Sequence, residues 1–246
     1  MDNHDHSANA NSFGRAAEIY ERGRPGYPAA ALDWLLPAGR PRVVDLGAGT
    51  GKLTRQIRAR GLEVTAVDPS ERMLAQLTLS VPGVPVLIGS AERIPMPEDS
   101  ADVVLVAQAW HWVDPPAASA ELARILRPGG TVAPLWNVRD ETTDWVARWT
   151  EIVHRGDSLE TSYRDPELGE AFTEPEHATF HWAHRLRTAD LRTLAASRSH
   201  LLLLPDDERE ALLSEIDELV ATHPDLRGRA EVDVPYRTEC YRARLR

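Results

Sequence analysis

Apolar residues in this chain fall into short runs separated by polar, glycine- and proline-rich breaks. Residues 43–46, 62–67, 84–88 and 101–107 are nearly continuous apolar stretches of strand length. Between them the spacing turns helical: Leu53 and Ile57 lie four apart, and Met73, Leu74 and Leu77 share one face. Strands covered on both faces read as unbroken apolar runs, and their alternation with helices predicts a parallel sheet. A helix closing at 122–126 and a strand over 131–136 continue the series. Beyond 136 the pattern changes. An amphipathic helix over 142–155 carries Trp145, Val146, Trp149, Ile152 and Val153, 156–175 is loop-like, and 177–186 alternates as a strand. Helices follow over 188–200 and from Pro205 to about 222, the latter with Asp206, Asp207 and Glu208 complementing the dipole of its first turn. Val232, Val234, Tyr236, Thr238 and Cys240 share one face of a last strand, in which Pro235 predicts a bulge or an unpaired position. At the other end, 1–12 is polar enough to predict a disordered tail, and Pro28 can open a short helix ending near Leu36.

The first strand carries one acid, Asp45, and breaks into Gly47-Ala48-Gly49-Thr50-Gly51 before the helix begins. Glycine lets a backbone turn sharply and lie against a ligand, so this is a nucleotide-type binding turn. A P-loop fails, because Gly51-Lys52 is followed by Leu53 and the residue five before Gly51 is Leu46. A dinucleotide turn needs Gly-x-Gly-x-x-Gly, whereas this one is Gly-x-Gly-x-Gly. Asp45 would face a pyrophosphate, which disfavours NAD, and it suits a ligand with a cationic amine. An ordinary strand–helix turn is the bland alternative.

Later strand ends add chemistry. Asp68, about 17 residues past Gly51, ends the second strand where a ribose-binding acid is expected, followed by Pro69, Ser70 and Met73. The third strand leads into Gly89-Ser90-Ala91-Glu92, and the fourth into Gln108-Ala109-Trp110-His111-Trp112-Val113-Asp114. Ligands in open α/β sheets bind just outside the carboxyl ends of strands, so the Trp-His-Trp reads as pocket lining. An Arg127-Pro128-Gly129-Gly130 turn precedes the fifth strand.

In order and spacing, residues 42–136 resemble the class I S-adenosylmethionine-dependent methyltransferases, type 11 group. The segment 13–28, with Tyr20, Arg22, Arg24 and Tyr27, and the Trp-His-Trp are similar to the trans-aconitate-type small-molecule subgroup. The resemblance implies a Rossmann-like, doubly wound, mostly parallel seven-stranded sheet with helical insertions towards the C-terminus. It implies one domain over 13–246: a lid at 13–36, a cofactor core at 42–136 and acceptor-side elements at 137–246. It also assigns S-adenosylmethionine to Tyr20, Arg24, Asp45, Gly47, Ala48, Gly49, Thr50, Gly51, Asp68, Pro69, Met73, Ser90, Ala91, Glu92, Gln108, Ala109 and Trp110. Within that set Asp45 lies near the methionyl amine, Asp68 takes the ribose hydroxyls, and Glu92 accepts from the adenine amine. Tyr27, Trp112, Trp136, Asn137 and Arg139 are expected at the acceptor. His111 is the candidate base, with a pocket-shaping hydrogen-bond role as the alternative, and Arg24, Arg139 or Arg164 could hold an acidic acceptor.

Composition narrows the partners. A net charge of -10 argues against non-specific nucleic-acid or anionic-membrane binding. A nucleic-acid amino-methyltransferase would place Asp/Asn-Pro-Pro-Tyr/Phe at the fourth strand's end. Here Asp114-Pro115-Pro116-Ala117 comes later and lacks the aromatic on which a flipped base stacks. No run approaches the ~20 apolar residues of a membrane span, and the N-terminus lacks a secretion signal's apolar core. The single cysteine, Cys240, leaves no intrachain disulfide or thiolate cluster. His4-Asp5-His6 reads as solvated tail, so no metal site is expected. The resulting expectation is a cytoplasmic methyltransferase acting on a small molecule, its oligomeric state unassigned. The rival from another class is a non-catalytic cofactor-binding module acting as sensor or partner.

Overall fold

Seven strands carry the chain: β1 (Arg42–Leu46), β2 (Glu63–Asp68), β3 (Val86–Ile88), β4 (Ala101–Ala107), β5 (Leu126–Arg139), β6 (Glu176–Arg187) and β7 (Glu231–Arg244). They form one sheet in the order β3-β2-β1-β4-β5-β7-β6. The computed structural model describes residues 25–156, 165–198, 201 and 204–246.

β1 to β5 are parallel, with Val44 opposite both Thr65 and Val104, and Ala66 opposite Val86. Successive residues such as Val43 and Val44 are both buried because both faces of the sheet are covered. On one face Val43, Val64 and Leu105 pack with Leu32 of α1 (Ala29–Leu35), Ile57 of α2 (Lys52–Ala59) and Leu77 of α3 (Glu71–Ser80). On the other, Val44, Val104 and Val132 pack with Leu122 and Ile125 of α4 (Pro115–Ile125). This is the doubly wound arrangement. Strand order reverses between β1 and β4, and a crevice opens at the carboxyl ends of strands at such a switch point.

β6 and β7 run antiparallel, since Glu176 pairs with Arg242 while Arg185 pairs with Asp233. β7 also opposes β5: Gly130 accepts from the Leu245 N–H, and Pro235 accepts from the Asp140 N–H, at 2.9 and 3.0 Å. Pro235 therefore sits in an interior strand, where its carbonyl makes the bond its missing N–H cannot. The Arg127–Gly130 turn lies inside β5 rather than before it. Leu126 stands opposite Ala101 and Thr131 opposite Val103, so the residues between them bulge from the ladder.

By contacts the described residues group into two units. One unit comprises the described residues of 26–138, 165–181 and 237–246; the other comprises those of 139–156 and 182–236. The division falls within β5, β6 and β7. In the second unit Trp145, Trp149 and Val153 of α5 (Asp144–His154) pack with Leu191 and Leu194 of α6 (Asp190–Ala196). Leu212 and Ile216 of α7 (Asp206–Thr222), with Val232 and Val234, complete that core. The helix expected over 188–200 is the shorter α6 within its described residues.

Candidate active site

The glycine turn leaves β1 along the backbone of β2: Gly47 and Ala48 donate to the Val67 carbonyl at 2.8 and 3.1 Å. Gly47 has φ +73, and a Cβ there would stand 2.6 Å from the Ala109 side chain. Gly51, with φ +87, opens α2 and would place a Cβ 2.6 Å from Leu77. Both positions require glycine twice over, for conformation and for space. The first contact also brings the loop after β4 directly against the loop after β1.

Beneath the turn Asp45 is 1% exposed. Its Oδ2 accepts from Thr54 Oγ1 at 2.5 Å, while its Oδ1 is buried without a hydrogen-bond partner. Burial pushes the carboxyl up to about 6; the Thr54 bonds pull it down and nearby Asp68 pushes it further up. Thr54 escaped the sequence reading, although a threonine on the buried face of a helix's first turn, nine residues after a buried acid, is a usable signal.

Asp68 is buried at the end of β2. Its Oδ2 accepts from Gly49 N–H and its Oδ1 from Ser70 N–H, both at 2.8 Å, so the carboxylate ties the turn to the start of α3. Ser70 then caps α3 by accepting from the Met73 N–H. Ile88 stands opposite Asp68 in register and is 59% exposed. Paired residues project from the same face of a sheet, so Ile88 offers an apolar platform beside the acid. It too was unmarked in the sequence, where an isoleucine ending a strand looks like ordinary core.

Ser90, Ala91 and Glu92 are placed less simply. Ala91 is buried. The Glu92 carboxylate accepts from the Asp114 N–H at 2.9 Å and from Ser90. Desolvation raises its pKa, but these bonds outweigh it and hold the group below its ordinary range. Glu92 thus fastens the β3 loop to the start of α4.

After β4, Gln108 adopts φ +56, a strained conformation for a residue with a side chain. It is held by its N–H to the Leu135 carbonyl and its Nε2 to the Asn137 carbonyl, at 2.9 and 3.1 Å. The single turn Trp110–Trp112 follows. Trp110 is 6% exposed within the core, whereas Trp112 is 60% exposed with its ring 4.9 Å from that of His111. His111 is exposed by area, yet enough protein surrounds it that desolvation lowers its pKa below the ordinary value.

Several expected acceptor residues have other work. Trp136 is 5% exposed and packs edge-on against Tyr241, so it is core rather than lining. Asn137 donates to the Gly26 carbonyl at 2.8 Å and accepts from Thr238 at 2.7 Å. Tyr27 is buried, its N–H and carbonyl both bonded to the Gln56 side chain. Asn137 and Gln56 therefore pin the chain entering α1. Arg139 belongs to the second unit and bonds Thr150 and His154 there. Tyr20, Arg24 and Arg164 lie outside the described residues, as do His4 and His6; among the described residues no cluster could hold a metal ion.

The geometry fits a cofactor with a cationic amine, a ribose and a flat base. A buried carboxylate oxygen without a partner suits the amine, lone pairs remain on Asp68 for hydroxyls, and Ile88 offers an apolar face. A Cβ at Gly49 would meet nothing within 4 Å, so the turn's outer side is open. Among the described residues no helix is long and apolar enough to cross a membrane.

A family model described as a methyltransferase domain, type 11, matches residues 44–133. An uncharacterised methyltransferase of Mycobacterium tuberculosis is 48% identical over 235 residues, 95% of this chain and 96% of the relative. One from Schizosaccharomyces pombe is 35% identical over 90% of this chain and 92% of its own length. A malonyl-[acyl-carrier protein] O-methyltransferase of Pectobacterium atrosepticum is 37% identical, over only 54% of each chain. Among solved structures, a protein provisionally described as a type II methyltransferase from Anaeromyxobacter dehalogenans is 25% identical. It superimposes with TM-score 0.59 over 90% of this chain and 96% of its own. A Haemonchus contortus phosphoethanolamine N-methyltransferase, solved with S-adenosylhomocysteine, shares the fold at TM-score 0.50 and 20% identity, over 88% of this chain and 51% of its own. With a relative 48% identical over 95% of this chain, beside the glycine turn, Asp45 and the doubly wound sheet described above, this chain belongs to the S-adenosylmethionine-dependent methyltransferases of the type 11 group.

Proposed function

We propose that this methyltransferase acts on an oxygen or nitrogen of a small molecule, and that the acceptor is reached from the lip formed by His111 and Trp112. The observation that carries this reading is the contact between Gly47 and Ala109. It sets the Trp110–Trp112 turn beside the turn assigned to the cofactor, with an exposed tryptophan and a histidine at its edge.

S-adenosylmethionine, when bound, supplies a methyl group on a positively charged sulfur with a good leaving group. The chain's task is then chiefly orientation, which can supply on the order of 7–11 kcal/mol for well-placed reactants. Asp45 Oδ1 takes the amine end, Asp68 takes ribose hydroxyls, and Ile88 with Pro69 and Met73 borders the base. Ala48, Thr50 and Ala109 shape the surface along which the cofactor lies. Desolvation lowers the His111 pKa and so favours the neutral ring, the form that can accept a proton from an O–H or N–H acceptor. A carboxylate acceptor needs no such step. The O-methyltransferase relative and the phosphoethanolamine N-methyltransferase act on acceptors of these two kinds, which supports oxygen or nitrogen as the target. The net charge of -10 supports a partner other than nucleic acid or an anionic membrane.

The test is transfer of a labelled methyl group from S-adenosylmethionine to a panel of small carboxylic acids, phenols and amines, with nucleic acid and protein as parallel acceptors. Stoichiometric S-adenosylhomocysteine with one small acceptor is the expected result. Transfer only to a macromolecule would overturn the acceptor class. Tight cofactor binding without turnover on any acceptor would favour a sensor module.

A further inference from the structure

The glycine turn leaves α2 without a cap of its own. Gly51 stands at its N-cap, where no side chain bonds the first N–H groups of the helix. Asp45 on β1 answers for them through Thr54. Thr54 lies in the first turn of α2, on the buried face with Leu53 and Ile57, and is 0% exposed. Its hydroxyl donates to Asp45 Oδ2 at 2.5 Å, and its backbone supports the charge on the same carboxylate. Oδ1 of that carboxylate is buried without a hydrogen-bond partner.

The joint between β1 and α2 does not by itself call for this pair. Two apolar side chains of the same shape would close it at little or no cost, whereas a carboxylate with one bare buried oxygen is unfavourable until a cation meets it. Around Asp45, the residues opposite it in the ladder, Ala66 on β2 and Leu105 on β4, bring no side-chain donor. Burial opposes the charge on Asp45 most, and the Asp68 carboxylate on β2 adds to that; the Thr54 hydroxyl is the largest influence in its favour. A charge kept in such surroundings attracts a cation more strongly than it would in water.

We infer that Thr54 is a positioning residue for the cofactor: its hydroxyl occupies Oδ2 of Asp45 and so reserves Oδ1 for the ammonium group of the methionyl end. The inference deepens the methyl-transfer reading and rests on Asp45 taking that amine. Thr54 is fully buried and acts through the acid rather than on the ligand.

The experiment is calorimetric titration of the full chain with S-adenosylhomocysteine and with 5′-methylthioadenosine, which keeps the adenosine and the sulfur but carries no amine or carboxylate. Thr54→Val keeps the shape and loses the hydroxyl. It is expected to weaken S-adenosylhomocysteine at least about tenfold at neutral pH and to leave methylthioadenosine within about twofold of the parent. Thr54→Ser restores the hydroxyl and should bring S-adenosylhomocysteine back within about threefold. In the parent, affinity for S-adenosylhomocysteine falls as Asp45 takes up a proton near about 6. Valine moves that fall to higher pH, because it removes a bond that favours the charged form; serine leaves it in place. If the valine variant does not bind methylthioadenosine, Thr54→Ala carries the comparison. Equal weakening of both ligands in the valine and alanine variants makes Thr54 a residue of the fold alone and overturns the inference. So does failure of serine to rescue, or an S-adenosylhomocysteine affinity unchanged by valine but weakened by Asp45→Asn. Affinity unchanged in Asp45→Asn itself strikes the assignment of the amine to Asp45, and thereby separates failure of that reading from failure of the role given to Thr54.

Discussion

At the carboxyl ends of β1 and β2 the polar groups are short and the backbone does most of the holding. Gly47, Gly49 and Ser70 offer N–H groups, and Asp45 and Asp68 sit on strand ends that cannot move independently of the sheet. In the unit of α5 to α7 a polar centre is made instead from long side chains, Arg139, His154 and Arg198, drawn from a strand and from two helix ends. The first kind of site is rigid before any ligand arrives, which is what alignment of a methyl group needs. It should tolerate no added Cβ at Gly47 or Gly51, yet it depends little on side-chain entropy. The second kind is held by side chains with many rotamers and should respond to their loss rather than to backbone space.

The sharpest way to break this contrast is Gly47→Val. Positive φ and the approach to Ala109 together should cost roughly 2–5 kcal/mol, seen as a lower melting temperature and as S-adenosylhomocysteine binding weakened more than about 100-fold. A variant that melts and binds normally would mean the two loops can part. Next is His111→Ala, expected to lower kcat by about 10²-fold or more on an acceptor that loses a proton and to do little on a carboxylate. Trp110 is a poorer probe, because truncating a buried tryptophan costs about 3–5 kcal/mol of stability regardless of chemistry.

Asp45→Asn should split stability from binding. The raised folded pKa means the acid favours folding fully below 3.8, a contribution lost as pH rises through about 6. At pH 7 the ionised group therefore opposes folding by on the order of 3 kcal/mol. Asparagine should raise the cofactor-free melting temperature while weakening S-adenosylhomocysteine binding by about 1.5–3 kcal/mol. In the parent, affinity should fall as pH drops through about 6, because a neutral carboxyl no longer attracts the amine. Flat affinity between pH 5 and 8 would detach Asp45 from the cofactor. Asp68→Asn should weaken binding and lower stability together, by about 1–3 kcal/mol, since its amide end would face the Gly49 or the Ser70 N–H. Smallest is Arg187→Ala, which removes an exposed pair with Asp190 in the second unit and should leave both melting temperature and cofactor affinity unchanged.

Local pattern carried the cofactor half. Continuous apolar runs encode doubly covered strands, and alternate glycines encode a turn in which each of the three takes a positive φ. Those features depend on residues within a few positions of one another, so spacing alone reveals them. The same spacing left the partners of Glu92 and Trp136 hidden, because a residue at the right place along a strand end can also engage a partner elsewhere. Asp114, 22 positions away, takes Glu92, and Tyr241 takes Trp136.

What the sequence by itself determined, then, is the parallel half of the sheet, the glycine turn and the acids on β1 and β2. Tertiary structure alone decided which groups meet. Asn137 reaches Gly26 across 111 residues and Thr238 across 101, while Arg198 reaches His154 across 44. It also decided that one oxygen of Asp45 would be buried without a partner, which no period reveals. The physical reason is that backbone conformation follows from near neighbours, whereas desolvation and hydrogen-bond pairing depend on where strand order and helix packing bring distant side chains together.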